Sequence, residues 1–146
     1  MRDEWMPKNV EDFALHLTQL RTQREELKGS AKSPNRMRHT LSPDQRKAIL
    51  LKTDGRCHVC GGAIEGTWQA DHVLAHSGGG NDSAENYLPA HGTCNNYRWD
   101  YLPEEFQEIL RMGVWLRTQL ERQTRIGKLA GVVFIAHEKR RLGRRT

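Results

Sequence analysis

Two short spacings, Cys57-x-x-Cys60 and His91-x-x-Cys94, constrain this chain more than any other feature it has. A Cys-x-x-Cys turn lets two thiolates occupy adjacent corners of a tetrahedron, and His91-x-x-Cys94 repeats that arrangement with one imidazole. A Cys3His donor set suits zinc in a structural role. All three cysteines of the chain are consumed by this reading, and an odd number argues against a simple disulfide framework. A redox or merely buried cysteine pair is the competing reading, because the 30 residues between Cys60 and His91 exceed the common finger spacings. His58, inside the first pair, reads as an exposed bystander.

The composition explains why such a grip is useful. A chain of 146 residues is one domain's worth. Its hydrophobic content of 36% is low and its charge of 28% slightly high, so a compact core covers only part of the length. Small cores gain stability from a metal or a partner. The net charge of +5 and pI near 9.4 favour a polyanionic partner, nucleic acid before membrane, since no apolar run approaches the roughly 18 residues that span a bilayer. Met1 to Asp12 is mostly polar and lacks the apolar centre of a secretory signal, which makes a cytoplasmic location the expectation.

The flanks read as helices. Val10, Phe13, Leu17, Leu20 and Leu27 lie on one face of a helix spanning Pro7 to Lys28. That stripe either packs on its own domain or forms a short homodimer seam. Gly29 to Thr40 reads as a basic linker, and Lys28, Lys32, Arg36, Arg38 and His39 can follow a phosphate backbone or simply be solvated. Ser42-Pro43-Asp44-Gln45 is a capping box with proline at the first helical position, and Asp54-Gly55 stops the helix it opens.

A strand is expected within Thr67 to Leu74, a loop over Ser77 to Ser83, a second strand around Tyr87 and Leu88, and a helix from Thr93 through Trp99. Pro103 opens a long helix to about Ile126. Gly127 then interrupts, and Leu129 to Ala136 is read as helix from its flanks. Residues 139–146 carry five positive charges, on Lys139, Arg140, Arg141, Arg144 and Arg145, and read as a mobile tail that either reaches phosphates or solubilises. The expected class is α+β, organised as an N-terminal helix and linker (1–40), a metal-bearing core (41–101) and a helical extension (102–146).

Inside the segment looped out by the two metal pairs lies Asp71-His72. Asp71 offers the hard oxygen that Mg²⁺ prefers, and His72 is the best general-base candidate because imidazole titrates near working pH. Neighbours on an extended segment point to opposite faces, so the two can serve one site only at a kink or strand end.

CHVC followed by ADHVLAHSGGGNDSAENYLPAHGTCNNYR resembles the HNH endonuclease family in order and approximate spacing: a cysteine knuckle, Asp-His at a strand end, a glycine-bearing loop, an Asn, and a second ligand pair running into Cys-Asn. The resemblance covers about 45 of the 146 residues. It implies a small ββα-metal core with Asp71 and Asn95 as ligands of a catalytic Mg²⁺ or Mn²⁺. His72 would be the base, and Asn86 the residue that pins the loop and orients it. His91 stands where many zinc-bearing members have cysteine. The implied activity is metal-dependent hydrolysis of DNA, one strand per site, in roles that include restriction and phage defence. Arg98, with Arg36, Arg38 and the tail cations, would contact the nucleic acid. A zinc-stabilised binding or adaptor module without chemistry is the alternative.

Overall fold

The computed structural model describes residues 6–30, 40–74 and 80–144. Arg36, Arg38, His39, His76, Gly78 and Arg145 lie outside them. The described residues form two compact units, divided after Glu105.

In the first unit, α1 runs Val10–Ser30 and α2 Pro43–Leu51; β1 (Gln69–His72) pairs antiparallel with β2 (Tyr87–Ala90), and α3 (Gly92–Arg98) follows directly. This helix-and-small-sheet arrangement is the expected α+β class. Ser42 caps α2 in both directions: its hydroxyl accepts from the Gln45 amide at 3.2 Å, and its own amide donates to Gln45 Oε1 at 2.8 Å. The helix ends where Asp54 and Gly55 both take positive φ.

Arg46 and Ile49 of α2 and the C-cap residue Lys52, spaced three apart, lie on one face. Arg46 donates to the Trp68 carbonyl at 3.0 Å and lies over its ring, Ile49 is fully buried, and Lys52 donates to the carbonyls of Ala84 and Tyr87. The helix thus fastens the residue before β1 to the residue that opens β2.

The apolar stripe of α1 carries a polar anchor. Arg24 is buried, donates to Glu105 at 2.9 Å, and lies over the rings of Trp99 and Tyr101; Lys28 pairs with Asp100 and sits over Trp99. Arg24 therefore fixes α1 to the chain that leaves α3. A homodimer seam is not needed to explain why this helix has a buried side.

The second unit begins at Phe106, within α4 (Pro103–Glu121), and continues through α5 (Arg125–Gly143). Two sequence expectations are corrected here. The break falls at Arg122 to Thr124, where Gln123 has φ of 53° and Thr124 caps α5 by accepting from the Gly127 amide at 3.1 Å. Gly127 does not interrupt the helix. It is buried in the first turn of α5, where an added Cβ would come within 2.2 Å of the Gln119 carbonyl oxygen. The basic tail is also helical through Gly143: Lys139 and Arg140 are exposed on α5, and Arg141 pairs with Glu138 at 2.7 Å. Arg144, exposed, caps the helix. No helix among the described residues is long and apolar enough to cross a membrane.

Candidate metal centres and active site

The knuckle is built by a tight turn. Gly61, at φ of 72°, returns the chain so that its amide reaches the Cys57 carbonyl at 2.8 Å, while the Cys57 amide donates to Gly62 at 2.9 Å. The turn is tied to β2 by the His58 amide, which donates to Pro89 at 3.0 Å. β2 then runs straight into His91 and α3, which places the second pair of donors against the first.

The donor atoms of Cys57, Cys60, His91 and Cys94 all lie within 4.8 Å of one another. His91 Nδ1 is 3.4 Å from Cys60 Sγ and 3.8 Å from Cys94 Sγ. Tetrahedral zinc needs donor separations of roughly 3.5–3.8 Å, which follow from its bond lengths. The imidazole is also oriented for the task, since Nε2 donates to the Ala63 carbonyl at 3.0 Å and so leaves Nδ1 as the donor to a metal. The four residues fit a structural zinc.

Their protonation reflects the crowding of four donors and the backbone groups that face them. Burial pushes the Cys57 thiol up, but hydrogen bonds from the backbone amides of Cys60, His91 and Val59 outweigh it and bring the group down to about 6. Burial and the neighbouring Cys60 and Cys57 sulfurs push Cys94 up to about 12. His91 is raised above its ordinary value by the Ala63 carbonyl and the Cys60 sulfur.

Asp71 and His72 are the last two residues of β1 and carry different partners. Asp71 is 5% exposed; Arg98 Nη1, from the last turn of α3, donates to both its oxygens at 3.1 Å, and His58 Nε2 donates to Oδ2 at 2.7 Å. Arg98 also donates to the carbonyls of His72 and Val73 at 3.0 and 2.8 Å. Two sequence expectations change here. His58 is no bystander, because its tethered backbone aims the ring at Asp71. The Arg98 guanidinium is committed inside the protein and not held out to a phosphate.

His72 donates from Nε2 to Asp82 Oδ1 at 2.9 Å, and its ring lies 4.4 Å from that of Tyr87, its cross-strand partner. Asn86 binds both backbone groups of one residue beyond β1: its Oδ1 accepts from the Leu74 amide at 2.8 Å and its Nδ2 donates to the Leu74 carbonyl at 3.0 Å. The same Nδ2 donates to Asn81 at 2.8 Å. Gly80 serves this turn by its lack of a side chain, since a Cβ there would meet the Leu74 carbonyl at 1.8 Å.

Residues 57–98 match the HNH endonuclease family model. The matched segment covers less than a third of the chain and contains the four knuckle donors, β1, β2 and α3. No curated protein and no solved structure matches the chain.

Within the matched segment, Asp71 and Asn95 are the oxygen donors that could hold a second, hard cation. An ionised carboxylate has about four lone-pair sites, and three on Asp71 are already taken by Arg98 and His58. That leaves room for a cation bound through one oxygen. Asn95 donates from Nδ2 to Gln69 at 2.6 Å, which keeps its carboxamide oxygen outside that bond. One carboxylate oxygen and one carboxamide oxygen suit Mg²⁺ or Mn²⁺, which keep most of their remaining positions for water. Asn95 meets β1 at Gln69, two residues before Asp71, and it is Arg98 that meets Asp71. Asp82 and His58 were not legible as site residues: one sits among loop polars, the other in the variable position of the knuckle.

Proposed function

We propose that this chain is a divalent-cation-dependent endonuclease that hydrolyses DNA phosphodiesters, cutting one strand per site. The observation that carries this reading is that Asp71 and His72 sit together at the end of β1, with the following peptide held by Asn86, inside the segment that matches the HNH family. Asp71 and Asn95 would hold Mg²⁺ or Mn²⁺, which supplies charge stabilisation at the phosphoryl and leaving oxygens when bound. His72 takes a proton from water as the water oxygen bonds to phosphorus; the bond from phosphorus to the 3′ oxygen breaks, and solvent protonates the leaving group. Asn86 holds the turn against which the base is positioned. The exposed cations Lys139, Arg140 and Arg144 on α5, with the basic linker, supply backbone contacts that carry no sequence information.

A single site accounts for nicking. The test is conversion of supercoiled plasmid to open circles with Mg²⁺ or Mn²⁺, comparing wild type with His72→Ala; equal rates for the two proteins would refute the assignment of the base. In cells, equal phage plating on strains carrying wild type and His72→Ala would remove a role in phage defence.

A second reading rests on the hydrogen bonds from Arg98 and His58 that take three of the roughly four lone-pair sites of Asp71, which suits a zinc-stabilised DNA-binding module without chemistry. DNA binding with no nicking under any divalent ion would select it.

A further inference from the structure

We infer that Asp82 is the positioning residue of His72: its carboxylate holds the imidazole proton on Nε2 and thereby makes Nδ1 the nitrogen that accepts a proton. The inference rests on the reading of His72 as the base and extends it to a residue outside the Asp-His pair. Asp82 Oδ1 is 2.9 Å from Nε2, and the two side chains are 10% and 17% exposed, so the contact is shielded from competing water. The same oxygen accepts from the Tyr87 hydroxyl at 3.1 Å, and Tyr87 is buried. The ring of His72 is therefore held at its tip by Asp82 and on its flank by Tyr87, which fixes both side-chain torsions.

A neutral imidazole carries one N–H, and a carboxylate accepts only. The geometry thus selects the Nε2–H tautomer, with the lone pair on Nδ1. A carboxylate that orients a catalytic histidine in this way governs the rate through the tautomer while touching no substrate.

The placement of Asp82 is built into the loop. Asn81 Oδ1 accepts from the amide and hydroxyl of Ser83 at 3.1 and 2.8 Å, which folds a turn around Asp82. The Asn81 carbonyl is in turn held by Asn86 at 2.8 Å. Asn86 consequently reaches the base through two links, the Asn81 backbone and the Asp82 carboxylate.

The experiment uses the zinc-loaded full chain and two variants, Asp82→Asn and Asp82→Ala. The tautomer of His72 is read from its ring ¹⁵N signals at a pH where the ring is neutral, without DNA, and kcat and KM come from plasmid nicking. Wild type should carry its proton on Nε2, in a hydrogen bond that shows as a downfield ring-proton signal lost in Asp82→Ala. The Ala variant should lose about 10²-fold or more in kcat at unchanged KM. Asp82→Asn keeps the shape, and its amide can face Nε2 with either nitrogen or oxygen. The rate should follow the tautomer, falling if the proton moves to Nδ1 and holding if it stays. A proton on Nδ1 in wild type, or a rate that ignores the tautomer in Asp82→Asn, would overturn the inference. Failure of wild type to nick DNA would instead overturn the proposed function, and the ring signals would still decide the role of Asp82.

Discussion

Arg98 Nη1 lies 3.1 Å from each carboxylate oxygen of Asp71, and the same guanidinium caps the carbonyls of His72 and Val73. Four hydrogen bonds from one side chain close the end of β1 against α3. The pair is well shielded, and removing one partner of a buried pair strands the other charge. Arg98→Ala should therefore cost about 3 kcal/mol of folding stability in buffer free of Mg²⁺ and Mn²⁺, measured by denaturant unfolding of the zinc-loaded protein. Mn²⁺ should restore part of the loss, because a second cation can then neutralise Asp71. Stability unchanged by the substitution would mean that the guanidinium contributes nothing net.

His58 gives Asp71 a second support, reached from the knuckle. Its amide is fixed to Pro89 and its Nε2 to Asp71 Oδ2, so the geometry of the cysteine turn is transmitted to the carboxylate. In His58→Ala, Mn²⁺ affinity should fall about tenfold, in the range usual for lost outer-shell partners, when titrated by the paramagnetic signal of free Mn²⁺. His58→Gln keeps an N–H near the Nε2 position and should recover most of the affinity. Equal loss in both variants would assign the effect to packing of the turn.

In the helical unit, Gly127 and Gly131 face α4 at different kinds of atom. A Cβ at Gly127 meets backbone, Gln119 O at 2.2 Å and C at 2.4 Å, whereas one at Gly131 meets the end of the Leu120 side chain at 2.6 Å. Backbone cannot rotate away, but a leucine methyl can. Gly127→Ala should thus destabilise by about 2 kcal/mol or more, and Gly131→Ala by clearly less, in thermal unfolding followed by helix signal. The reverse order would contradict this packing.

Local signals made much of the fold legible. Ser42 and Gln45 announce α2 because a capping box is complete within four residues, and the cysteine spacings bring donors together whatever lies between them. What sequence could not reach depends on contacts between distant segments. His58 is oriented by Pro89, more than 30 residues on, and Arg98 reaches Asp71 because α3 packs against β1. Asp82 was hidden because a loop rich in Gly, Asn and Ser gives no periodicity by which one carboxylate stands out. The end of α4 was misplaced for another reason: glycine usually signals a stop, yet Gly127 is there for close helix approach, and the stop is made by Gln123 and Thr124.

The knuckle's own titration sets a pH dependence for zinc binding. Metal takes cysteine as thiolate and histidine as the neutral ring, so every proton held by the metal-free donors must leave on binding. Cys94, pushed up to about 12, keeps its proton throughout the neutral range and must release it. Cys57, at about 6, is mostly ionised above neutrality and adds little there. His91, raised above its usual value, adds a further proton on the acid side. Apparent zinc affinity should accordingly rise at least tenfold per pH unit between pH 7 and 8, and more steeply toward pH 6, in competition with a chromophoric chelator. Cys94→Ser removes the proton that must be displaced along with a ligand. It should weaken zinc binding at every pH and flatten the slope by about one, and an unchanged slope would show that Cys94 is not among the ligands.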